Sequence, residues 1–466
     1  MDLLKNPLIK SLLEKRAISS RERREIALTI LSAALGAVEP GAAIRKVLRY
    51  DSESGRLEVA GREYDLNQYN RVYVVGAGKA GWPMAEALVG LLGARLERGL
   101  VNVKYGYVPP FGTETGPIAL TEASHPVLDE AGVKGTQRIV ELLQGLNEDD
   151  LVLAVISGGG SALLEMPVEG VTLAEMQLLT GALLRCGATI NQMNTVRKHL
   201  SQIKGGQLAR WANPASVIGL LLSDVVGSPL DVIASGPTVP DTSTFGEAWA
   251  TLENFGLTTT GTPPSILAHL RAGVNGQLPE TPKPGEALFE KVQNVVVADN
   301  RIAALAAVEA ARHLGFNPLL LSTFVEGEAR EVARVYAALA KEIHTFNTPV
   351  ARPACLLLGG ETTVTVHGEG LGGRNQELAL AAALAIADLE GVLIVPLATD
   401  GSDGPTDAAG AMVEGDTICR AKSLGLDPHD YLRRNDAYHF FESLGDLLQT
   451  GPTQTNVNDL TMILVF

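Results

Sequence analysis

From residue 71 to 222 short aliphatic and β-branched runs alternate with helical stretches, a period that confines this part of the chain to a mostly parallel sheet covered on both faces. The spacing predicts strands at 72–75, 100–103, 151–156 and 217–222, with helices at 80–92, 129–143 and two more through 203. The first fifty residues read as helical, with Ser19 or Ser20 as the cap of a segment 21–35. A second alternating block predicts strands at 295–298, 318–322, 354–358, 363–366 and 392–398, and a last strand at 461–465. Between the blocks, the Pro- and Gly-rich tract 273–285 has neither period and reads as a linker. Two domains are therefore expected, 1–275 and 286–466, in keeping with a chain of 466 residues.

With 46% hydrophobic residues, 20% charged residues and 49 glycines, the composition is that of a packed α/β protein. A formal charge of −15 argues against nucleic-acid and anionic-membrane partners, so any anionic ligand must meet a locally basic pocket. Cys186, Cys355 and Cys419 are widely spaced and show no metal or disulfide pattern, which fits a reducing cytoplasm. No secretory signal or transmembrane span is expected.

Two glycine loops follow predicted strands. Gly76-Ala77-Gly78-Lys79-Ala80-Gly81 has the spacing of a dinucleotide fingerprint, but the following strand, 100–103, ends in Lys104 and Tyr105 where a ribose-binding carboxylate is required. Lys79 at a helix N-terminus instead suggests a phosphate site, with Gly76 and Gly78 letting backbone approach the ligand. No Walker P-loop is present. Ser157-Gly158-Gly159-Gly160-Ser161 can cradle phosphate oxygens in the same way. Further along, Arg197, Ser201 and Lys204 are spaced to share one face of a basic helix, making Arg197 and Lys204 candidate nucleotide contacts. His199 reads as structural. Asp224 follows the strand 217–222, where ligand-binding carboxylates of α/β sheets occur.

In the second block Gly359-Gly360-Glu361-Thr362 is expected just after a strand, with Glu361 a nucleotide-site candidate, and Gly372-Gly373-Arg374 opens a helix. A cation at a helix N-terminus works against the dipole, which suggests an anion beside Arg374. Asp400, Asp403 and Asp407 lie on a glycine-rich turn after an apolar run, a candidate Mg²⁺ loop whose spacing does not match an EF-hand.

Taken in order, the motifs 76–81, Ser124-His125-Pro126, 157–161, 194–201, 223–229, 372–377 and the Asp loop resemble the glycerate 2-kinase family, whose C-terminal domain is called MOFRL. The resemblance covers nearly the whole chain. It implies an α/β protein with a large Rossmann-like N-terminal domain, a smaller α/β C-terminal domain and an active site in the cleft between them. It further implies ATP-dependent phosphorylation of D-glycerate to 2-phosphoglycerate, with the residues matching Lys79 and Arg374 functional. In such a transfer Mg²⁺ near the Asp loop bridges nucleotide phosphates, Lys79 offsets charge, and Arg374 orients a carboxylate or phosphate. Asp224 or a member of the Asp loop takes the hydroxyl proton. Family members have also been labelled hydroxypyruvate reductases, so an NAD(P)H-dependent reductase is the alternative, and a non-catalytic phosphosugar-binding regulator a third reading. The oligomeric state stays open.

Overall fold

A computed structural model describes residues 2–14, 17–110 and 112–466. By contacts the chain forms two compact units, one of Pro40–Val297 and one of Met1–Glu39 with Ala298–Phe466.

The Pro40–Val297 unit is built on a seven-stranded sheet. Its order is Val292–Ala298, Ser216–Leu222, Asp150–Ile156, Arg71–Ala77, Leu96–Lys104, Ile118–Ala123 and Glu114–Thr115. The strands from Ser216–Leu222 to Ile118–Ala123 pair in parallel. Every residue of Asp150–Ile156 is buried, as a strand covered on both faces requires, and this explains its uninterrupted apolar run. Ile118–Ala123 was not anticipated, because Ile-Ala-Leu-Thr-Glu-Ala has no β-branched run to mark it. Helices Gly81–Leu92 and Glu130–Leu143 start within one residue of expectation, the second because the Asp129 carboxylate accepts from the N–H of Gly132.

In chain order the sheet grows outward from Arg71–Ala77 through Leu96–Lys104 to Ile118–Ala123. It then returns to place Asp150–Ile156 on the other flank of Arg71–Ala77. That reversal is the topological switch point at which ligands of open α/β sheets bind, outside the carboxyl ends of the strands.

The tract expected to be a linker is fastened to this unit. Glu280 accepts from the backbone N–H of Phe245 and meets His199 Nε2 at 3.1 Å, and Thr281 donates to Asp241. Val292–Ala298, expected to open the second block, is instead an edge strand of the first sheet.

The other unit holds a second seven-stranded sheet, with Asn317–Glu328, Ala354–Thr363, Asp459–Val465 and Val392–Ala398 as successive neighbours. Asp459–Val465 lies at the centre, antiparallel to both of its neighbours, and all seven of its residues are buried. Helices Ala329–Phe346 and Arg374–Ala385 cover one face with alanine-rich surfaces. The N-terminal helix Ile18–Ala37 packs on Asn300–His313, which turns Ala303, Ala304, Ala307 and Ala311 inward. Arg24, fully buried, ties that helix down through Glu414 at 3.0 Å and Asp446 at 2.8 Å. Residues 1–39, grouped with the first domain by sequence, thus pack with the C-terminal half. Among the described residues no single helix is long and apolar enough to cross a membrane.

Candidate functional site

Parallel strands bring their carboxyl ends to one edge, and in the Pro40–Val297 unit that edge collects Lys79, Lys104, His125, the 157–161 loop and Asp224. The two glycine loops are locked together across the switch point. Lys79 N–H donates to the carbonyl of Gly158 at 2.9 Å, and Ser157 N–H to that of Ala77 at 3.1 Å. The Ser157 hydroxyl accepts from Ala80 N–H at 3.0 Å. The closeness requires glycine: a side chain at Gly76 would strike the carbonyl of Val155, and one at Gly78 the hydroxyl of Ser157. Gly159 turns the chain with φ 83° into the short helix Gly160–Leu163. The N–H groups of Gly158 and Gly159 have no acceptor among the described residues, which leaves two backbone donors for an anion.

Charge is concentrated around those donors. Lys79 and Lys104 are partly buried, and neither forms an ion pair among the described residues. His125 packs on Gly159, where a Cβ would come 3.0 Å from its Cδ2. Burial, reinforced by Lys79 and Lys104, lowers its acid to about 4, so the ring is neutral at pH 7. The Asp224 carboxylate lies against Gly158, in the space a side chain there would need.

Arg197 and Lys204 both reach the second loop at Ser161. Arg197 Nη2 donates to the Ser161 carbonyl at 2.9 Å, and Lys204 Nζ to the same oxygen at 2.8 Å. Lys204 also bonds the Leu164 carbonyl at 2.6 Å and pairs with Glu165 at 3.2 Å, so its three donors are all used. It is fully buried, and burial lowers its ammonium to about 8. Lys204 therefore holds the loop in place instead of facing a nucleotide, which corrects the direct contact expected from spacing alone.

In the other unit, helix Arg374–Ala385 begins at Gly373. Arg374 grips Asp459 with Nε at 2.6 Å and Nη2 at 3.0 Å, and its Nη1 meets Glu361 at 2.7 Å. The anion that the dipole argument assigned to a ligand is thus supplied by the chain itself. Asp459 and Glu361 hold the guanidinium above its ordinary value, and burial pushes Asp459 up to about 6. Gly359, Gly360 and Glu361 lie inside the strand Ala354–Thr363, not after it. A side chain at Gly359 would collide with Asn300, whose amide donates to the carbonyls of Val457 and Asp459 at 2.8 Å each.

The three carboxylates of the Asp loop do not converge. Asp403 accepts from the N–H groups of Asn375 at 3.1 Å and Gln376 at 2.8 Å, capping the helix that Arg374 opens. Asp400 closes its own turn by accepting from Ser402 N–H, and Asp407 accepts from Tyr438 and Gln449. Among the described residues no group of three or more His, Cys, Asp or Glu side chains is placed to hold a metal ion. The candidate Mg²⁺ loop is a set of caps and turns in this fold, because each carboxylate has its own separate partners. Asp459 carried one signal in the sequence, an acid opening an otherwise apolar strand.

Known proteins extend the comparison. A domain of unknown function (DUF4147) matches residues 26–271, and the MOFRL family matches residues 354–459. The D-glycerate 2-kinase of Thermotoga maritima is 43% identical over 445 residues, covering 95% of this chain and 98% of that protein. A putative hydroxypyruvate reductase of Agrobacterium vitis is 46% identical over 397 residues, covering 85% and 87%. The crystal structure of glycerate kinase from Thermotoga maritima matches with a TM-score of 0.85 at 42% identity, covering 96% of this chain and all of that one.

Proposed function

Because the chain belongs to the glycerate 2-kinase family, we propose that it transfers the terminal phosphoryl group of ATP to the 2-hydroxyl of D-glycerate, giving 2-phospho-D-glycerate and ADP. The observation that carries this reading is Lys79, a cation without a carboxylate partner among the described residues, in the first of two interlocked glycine loops at the switch point of the sheet. Backbone N–H groups and an ammonium aimed at one place stabilise the charge that spreads over phosphate oxygens during transfer. Asp224, whose carboxylate lies against the Gly158 backbone, is assigned the proton of the attacking hydroxyl.

Arg374 keeps a role in this proposal through the N–H donors that Asp459 and Glu361 leave open, and Glu361 acts by holding it. A Mg²⁺ ion carried by the nucleotide phosphates needs only one or two protein carboxylates. The Asp400, Asp403 and Asp407 set does not fit it, because its three carboxylates do not converge. As inherited segments, distinct from packing units, we retain 1–275 and 286–466, which the family matches at 26–271 and 354–459 support.

The reductase reading has the glycine turn, with Gly81 seated on Val101 and Val103, but Lys104 stands where a dinucleotide site needs an acid. One coupled assay separates the two. The kinase releases ADP only when D-glycerate is present and oxidises no NADH or NADPH with hydroxypyruvate; the reverse result would overturn the proposal.

A further inference from the structure

Three cations on and just after helix Ile190–Lys198 meet different fates. Lys198 is balanced by Asp241 at 3.4 Å and Asp231 at 3.6 Å, and Lys204 by Glu165 at 3.2 Å. Arg197 forms no ion pair among the described residues, and its one hydrogen bond goes to the neutral carbonyl of Ser161. Its Nε is buried with no acceptor, and so is the amide nitrogen of Asn194 one turn earlier on the same face. The Asn194 oxygen is already taken: Ser235 donates to it at 2.9 Å and lies 2.8 Å from the Ser161 hydroxyl. Ala234 and Ser235 hold left-handed backbone, φ 49° and 61°, to bring that hydroxyl to Asn194.

A guanidinium with a buried, unpaired Nε, served only at longer range by the Glu165 carboxylate that Lys204 already holds, lies beside a second unpaired donor and marks the place of a missing anion. Which anion follows from shape. Phosphate oxygens already have Lys79 and the N–H groups of Gly158 and Gly159, a point charge and a backbone cradle. A planar two-oxygen group suits a planar guanidinium with an amide donor at its side. Arg374, the other arginine of interest, has its charge covered by Asp459 and Glu361.

We propose that Arg197, with Asn194 beside it and Ser235 fixing the amide, forms the subsite for the carboxylate of the hydroxy-acid acceptor. The assignment rests on the kinase reading above, and it makes Arg197, not Arg374, the residue that distinguishes glycerate from an uncharged polyol.

Calorimetric titration of wild type, Arg197→Met, Arg197→Lys and Asn194→Ala with D-glycerate, and separately with a non-hydrolysable ATP analogue, tests this. Loss of a charge-assisted contact predicts D-glycerate binding weakened about 10- to 100-fold in Arg197→Met, and several-fold in Asn194→Ala. Nucleotide affinity should hold in both, which also reports an intact fold. Unchanged glycerate affinity, or a loss falling on the nucleotide, overturns the subsite. If Arg197→Met binds neither ligand, Arg197→Lys decides: a selective loss of glycerate supports the planar fork, and equal affinity overturns it. Wild type that binds D-glycerate but releases no ADP with it overturns the kinase reading alone. Wild type that binds no D-glycerate overturns both.

Discussion

Asp403 is 2% exposed, with one oxygen on the N–H of Asn375 and the other on that of Gln376. Burial outweighs those two donors and, with Asp459 nearby, pushes its acid from 3.8 to about 7. The folded protein therefore keeps a proton between about pH 4 and 7 that the unfolded chain has released. Asp403 stabilises the fold fully below about pH 4, and that contribution is lost as pH rises through 7. Urea denaturation of Asp403→Asn should lack this slope, on the order of 1–3 kcal/mol between pH 4.5 and 8 relative to wild type; an unchanged slope means the carboxylate is ionised in the fold. Arg374→Ala leaves Asp459 and Glu361 facing each other, so it should lower stability as well as turnover. We expect about 2–3 kcal/mol, less than for a fully buried pair because the arginine keeps 31% of its surface exposed, with Arg374→Lys recovering part of it in thermal melts. Lys79→Met, which breaks no ion pair, should cut kcat/KM about 100-fold at an unchanged melting temperature. The sequence exposed where Lys79, Asp224 and the glycine loops lie, because a glycine turn after a buried apolar strand has a local signature. It misassigned Asp403 and Lys204, whose roles depend on which distant atoms surround them.

Elements were legible where burial on both faces demands an apolar run, as at Asp150–Ile156, and illegible where small residues serve packing. Gly359 and Gly360 looked like the end of a strand, yet the strand stays paired with its neighbour Asn317–Glu328 to Thr363, and glycine is needed there because Asn300 and the backbone of Val325 fill the room. Gly359→Ala should overpack that contact and destabilise the protein by about 1–3 kcal/mol, read as a lower urea midpoint. A midpoint within error of wild type would mean that Asn300 yields easily.

Across the whole molecule, the division by contacts is discontinuous, and no linear reading of periods predicts a unit made of both ends of a chain. Helix Ile18–Ala37 belongs with the C-terminal sheet because Arg24 satisfies two buried carboxylates there and Val38 accepts from Thr455 at 2.7 Å. A fragment of residues 286–466 alone should lack a cooperative transition, and adding a peptide of residues 1–39 should restore it; circular dichroism melts with and without the peptide check this. The strand Asp459–Val465, central in its sheet, also sets a timetable. Helix Ile18–Ala37 leaves the ribosome early, but the sheet it covers has no middle until residues 459–465 follow, on the order of tens of seconds later at typical elongation rates. During synthesis the Pro40–Val297 unit can fold first, while the apolar face of helix Ile18–Ala37 waits uncovered, and that interval is when a chaperone has most to protect.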